Sequence, residues 1–95
     1  MRVKPVGELV FEMDGHEHHI PASQLSQGEP KKEADGIHGE SEDWSVIFTA
    51  GSPFGGFAWY VTYTLGNQGL VMIDSEITKA PVGAEVIGHI SFKSV

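Results

Sequence analysis

Two runs of alternating side chains, residues 44–49 and 57–65, restrict this chain to a β-structure. Trp44, Val46 and Phe48 alternate with Ser45, Ile47 and Thr49. Phe57, Trp59, Val61, Tyr63 and Leu65 alternate with Ala58, Tyr60, Thr62 and Thr64. A period of two, rich in β-branched and aromatic residues, marks strands that bury one face. Between them Gly51-Ser52-Pro53-Phe54-Gly55-Gly56 reverses the chain, because glycine supplies the positive φ of tight turns. The two strands therefore pair, and their large apolar face needs a cover.

The remaining segments supply that cover. Residues 70–78 place Val71, Ile73 and Ile77 on one face and Met72, Asp74 and Glu76 on the other, after a turn at Gly66-Asn67-Gln68-Gly69. Pro81-Val82-Gly83 turns again, and Val86, Gly88, Ile90 and Phe92 then alternate with Ile87, His89, Ser91 and Lys93. At the front, Leu9, Phe11 and Met13 alternate with Glu8, Val10 and Glu12 up to Asp14-Gly15. Asp-Gly between alternating segments predicts a two-residue type I′ hairpin, since both turn positions need positive φ. Residues 16–20 return, pairing Met13 with His16, Phe11 with His18 and Leu9 with Ile20. About six strands at spacings of about ten residues predict an all-β antiparallel sandwich or small barrel. Residues 1–95 are expected to form one such domain.

Residues 21–43 break the pattern. They are mostly Ser, Gln, Gly, Pro, Glu, Lys and Asp, with too few apolar groups to bury, and are expected to form one long polar loop after the first hairpin. Charge also gathers in this half of the chain. Residues 8–43 hold ten acidic side chains against Lys31 and Lys32, whereas the rest is nearly balanced, and the whole carries −7. Such a field attracts basic partners and repels phosphate backbones, which argues against nucleic-acid binding.

Chemistry leaves fewer traces. Without cysteine there is no disulfide and no thiolate metal site, in keeping with a reducing compartment. The basic start lacks an apolar run behind it, and no stretch approaches the roughly 20 apolar residues of a membrane span. A cytoplasmic protein without membrane association is the expectation. No nucleophile elbow, phosphate loop or cysteine nucleophile is present, so catalysis and cofactors are not expected. Asp14-Gly15-His16-Glu17-His18-His19 is the densest group of potential metal ligands. His16 and His18 lie on one strand face about 7 Å apart, close enough to share a metal ion. The plainer expectation is that they rim the sheet edge, with His19 solvated. Tyr60 points outward beside Ile47 and Met72, where it would stack on a sugar ring, anchor a protein interface or be covered by the long loop.

In size, in its acidic half and in its lack of catalytic groups the chain resembles the immunity proteins of bacterial toxin systems. The resemblance is one of profile and transfers no residues. It implies occlusion of a basic, nuclease-like partner protein. From this chain's own charge and outward aromatics, Glu33, Asp35, Glu40, Glu42 and Asp43 are expected to meet lysines or arginines, with Tyr60 as an anchor. The alternatives are a metal- or carbohydrate-binding module using His16 and His18 or the outward aromatics, and a phage or other structural assembly subunit.

Overall fold

The structure, a computed structural model, describes residues 3–38, 41–51, 56–66 and 69–94, and the side chains of all of these except 34–38, 70 and 71. The chain runs through β1 (Val3–Val6), β2 (Glu8–Met13), β3 (His16–Pro21), a 3₁₀ turn (Ala22–Gln24), β4 (Ser26–Gln27), β5 (Lys31–His38), β6 (Ser41–Ala50), β7 (Phe57–Gly66), β8 (Gly69–Lys79), β9 (Glu85–Gly88) and β10 (Ser91–Ser94). Every pairing is antiparallel. The largest sheet runs β4-β6-β7-β8, with β5 also on β6; a second runs β3-β2-β9, and β1 pairs with β10. None closes into a barrel, because each strand order is linear and leaves two edges.

The chain forms ten strands among the described residues, where about six were expected. Two differences have clear causes. The alternating run from Val86 to Lys93 is interrupted at His89-Ile90, so that β9 pairs with β2 and β10 with β1. The expected long loop is largely strand: β4 sits on Thr49 and Phe48, and β5 pairs Lys31 with Ser45 and Lys32 with Trp44. An edge strand satisfies backbone groups rather than burying side chains, so a polar sequence suits it well.

Alternation sets the faces. Phe57, Trp59, Val61 and Tyr63 of β7 are buried together with Val46 and Phe48 of β6. They form one cluster with Leu9 and Phe11 of β2, Phe92 of β10, and Ile90. Aromatic rings tie the sheets together. Phe11 meets Phe57 edge-on at 4.9 Å, Phe57 stacks on Trp59 at 5.9 Å, and Phe48 meets Phe92 at 5.0 Å. Gly56 permits the return into β7: its φ is 86°, and a Cβ there would come within 2.8 Å of the Ala50 carbonyl oxygen.

The molecule is long, 50 × 22 × 18 Å, with a radius of gyration of 14.7 Å. A compact chain of this length would have about 12 Å. Burial concentrates where β6 ends and β7 begins, and it fades toward Ser41 and Gly66. The far halves of β6, β7 and β8 therefore extend past the core as an arm, and the candidate site runs from the core end of these strands onto its outer surface.

Candidate functional site

The site is built on the outward residues of β6, β7 and β8. Register places Ile47, Tyr60 and Glu76 in one row, Ser45, Thr62 and Asp74 in the next, and Asp43, Thr64 and Met72 in a third. Glu33 reaches over this face from β5, where the ladder shifts register between Lys32 and Ile37. Its Oε1 accepts a hydrogen bond from the Tyr60 hydroxyl at 3.0 Å. Thr64 Oγ1 donates to Asp43 Oδ1 at 2.8 Å.

Tyr60 divides the surface. On one side lies a concavity of about 500 Å³ bounded by Glu33, Asp43, Thr62, Thr64, Met72 and Asp74. On the other a hollow of about 330 Å³ is lined by Gly28, Glu29, Lys31, Ser45 and Ile47. A third, also about 330 Å³, runs from Tyr60 along Asp74, Ser75 and Glu76. Met72 and Ile47 are 61% and 49% exposed, large apolar groups among carboxylates. Among the described residues no basic side chain pairs with Glu33, Asp74 or Glu76. The surface is acidic and concave, with an aromatic residue at its centre.

The residues expected to dock a partner do not all meet here. Glu33, Asp43 and Tyr60 do. Glu42 pairs with Leu65 where Asp43 pairs with Thr64, and consecutive strand residues face opposite ways. Glu42 therefore lies on the core-side face, where it accepts from the Trp44 indole N–H and from Lys32 Nζ, each at 3.2 Å. Glu40 lies outside the described residues, as does the side chain of Asp35. Asp74 and Glu76 belong to the surface although they are not among the residues expected to dock a partner. The signal was the register of β7 with β8, which puts Thr62 opposite Asp74.

The hairpin of β2 and β3 has the register expected from its turn, with Asp14 and Gly15 at φ 53° and 77°. His18 is part-buried and stacks on Phe11 at 5.1 Å, while His16 is exposed at the tip. Among the described residues no three His, Cys, Asp or Glu side chains gather as a metal would require.

His19, expected to be solvated, is exposed and also bridges Glu8 and Glu17. Nδ1 lies 2.9 Å from Glu8 Oε1, and Nε2 lies 2.8 Å from Glu17 Oε2. Both nitrogens face carboxylates, and only the imidazolium donates from both. The hydrogen bonds to Glu8 and then Glu17 accordingly raise its pKa above 6.5. The pair partly offsets the repulsion on this face, where Glu12 stands opposite both Glu17 and Glu85. Its stabilising contribution is complete below 6.5 and is lost as pH rises through the higher folded value. In an NMR titration the His19 midpoint is expected above 6.5 and should fall when Glu8 and Glu17 become glutamine. A wild-type midpoint at or below 6.5 would show that the bridge does not form in solution.

Comparison with protein-family profiles, with curated proteins and with solved structures gives no match. Among the described residues no helix is long and apolar enough to cross a membrane.

Proposed function

We propose that this chain is a binding protein that docks a basic protein on its Tyr60-centred face and occludes that partner's working surface. The observation that carries the reading is the concave face itself, where Glu33, Asp74 and Glu76 have no basic counterpart among the described residues and flank Tyr60, Ile47 and Met72. Carboxylates at such a surface steer association and select the partner, while the aromatic and apolar groups supply contact area. An acidic occluder of this size suits a nuclease-type toxin, in the manner of an immunity protein acting in the bacterial cytoplasm. The packed sheets, read as a sandwich, would serve as rigid backing.

The test compares two variants with the same change in charge. One carries Glu33→Gln, Asp43→Asn, Asp74→Asn and Glu76→Gln; the other carries Glu8→Gln, Glu12→Gln, Glu17→Gln and Glu85→Gln. Association with cytochrome c, a lysine-rich probe, is followed from 0.1 to 1 M salt, over which the Debye length falls from about 10 to about 3 Å. The first variant is expected to keep its circular dichroism and to associate roughly tenfold more slowly at low salt. The second should change the rate far less, and the difference should fade as salt rises. Equal rates for the two variants would reduce the effect to net charge and remove the case for this face.

A further inference from the structure

The largest sheet ends at β8, which is hydrogen-bonded to β7 and, among the described residues, to no strand on its other side, although β10 packs close to part of it. β8 is also the longest strand, 11 residues without proline, and its one basic residue is Lys79 at the very end. Other edges are blunted. β5 shifts register midway, Pro30 precedes it, and Lys31 and Lys32 open it. β9 has 4 residues, and β3 ends in proline. Short length, bulges, proline and lysine are the usual protection of a sheet edge. The β7–β8 ladder shifts register near both ends of β8, between Ala58 and Trp59 and between Thr64 and Leu65, but between Met72 and Ile77 the strand has no bulge, proline or lysine.

Charge indicates what this edge accepts. Asp74 and Glu76 stand exposed on the outer face of β8, without basic partners among the described residues. If β8 met β8 of a second copy about a two-fold axis near Ser75, Asp74 would face Glu76 of the other chain. Like charges directly opposite destabilise a ladder, so self-pairing is opposed, whereas a strand with Lys or Arg at those positions is favoured. The other face of the edge has room as well. A cleft of about 320 Å³ runs beside Ser75, Glu76 and Ile77, and Trp59, His89 and Ile90 complete its lining.

We infer that the free edge of β8 receives an extended segment of the partner as an added antiparallel strand; this rests on the reading of a basic partner given above. Main-chain hydrogen bonds to β8 supply affinity, as in other strand-addition complexes. The added strand alternates: lysine or arginine opposite Asp74 and Glu76, and small apolar side chains toward Ile77 and the cleft.

The probe is an alternating Lys–Val peptide of about nine residues, within ordinary strand length, tested beside two relatives. In one, alternate backbone nitrogens are methylated; in the other, serine replaces lysine. The parent peptide is expected to slow amide exchange at alternate residues between Ile73 and Ile77, and each relative to bind at least about tenfold more weakly. The variant Asp74→Lys with Glu76→Lys, both exposed sites, should keep its circular dichroism and lose the peptide. Equal binding of the methylated peptide, or protection elsewhere than β8, overturns strand addition and leaves the basic-partner reading standing. Equal binding of the serine peptide overturns the basic character of the occupant and with it that reading. Concentration-dependent protection of β8 without peptide would assign the edge to a second copy and overturn the inference.

Discussion

Replacing Trp59 with alanine is expected to lower the unfolding free energy by about 3–5 kcal/mol. Small proteins have roughly 5–15 kcal/mol in total, so the loss takes between about a fifth and all of it. The indole is 2% exposed and stacks on Phe57. It sits in the middle strand of its sheet, opposite Phe48 on one side and Ile77 on the other. Its neighbours belong to paired strands and cannot close over the space it leaves, which is why a cavity term adds to the lost burial. At roughly 4–8 °C per kcal/mol, the melting temperature should drop by at least about 12 °C. The urea midpoint should fall with the slope unchanged. Trp44 is the internal control. It is part-buried where the core fades, held by Glu42, and its truncation should cost clearly less. A Trp59→Ala protein with the wild-type midpoint would mean that β7 presents its other face to the core.

The faces of β6 and β7 were legible because most of their large side chains alternate, with Ile47 and Tyr60 outward and Ser45 buried as the departures. A one-residue slip would expose most of the large groups. Phe57, Trp59, Val61 and Tyr63 are buried, and Ile47 and Met72 are exposed, as that alternation requires. The first hairpin was legible for a different reason. Asp14-Gly15 fixes both turn type and register, so the pairing of Phe11 with His18 followed from two residues. The same register places Val10 opposite His19 and Glu8 opposite Pro21, which brings Glu8 diagonally next to His19. That bridge was within reach of the sequence, given the pairing.

Other features were not within reach. β5 pairs with β6 through its backbone, and nothing in Lys31, Lys32 or Glu33 signals burial, so a polar edge strand reads like a loop. The split of the last strand depends on which neighbours are present, β2 for β9 and β1 for β10, and alternation within one segment carries no such information. The candidate site suffered from a related limit. Charge density along the chain grouped Glu42 with Asp43, whereas the pleat sends them to opposite faces of the sheet. Glu42 is taken up by Lys32 and Trp44, and Asp74 and Glu76, distant in sequence, join Glu33 and Asp43 instead. A surface assembled across strands is set by register, and composition along the chain does not report it.

Phe11 carries the second large expectation. It is completely buried, with His18 stacked on one side at 5.1 Å and Phe57 edge-on at 4.9 Å on the other. The ring thus links the β3-β2-β9 sheet to the sheet that bears the Tyr60 surface. Phe11→Ala should cost about 3–5 kcal/mol through the cavity it opens. Phe11→Leu, which keeps most of the volume, should cost about 1.5 kcal/mol or less and should remove the ring-current shift of the His18 protons. A double-mutant cycle of Phe11→Leu with Phe57→Leu should give a coupling of about 0.5–1.5 kcal/mol, the usual value for an aromatic pair in contact. The cycle tests whether the hairpin stabilises the arm or merely folds beside it. If the sheets are one cooperative structure, amide exchange in β7 and in β2 should accelerate together in Phe11→Ala. Additive single effects, with faster exchange confined to β2 and β3, would show instead that the hairpin opens on its own and that the arm does not depend on it.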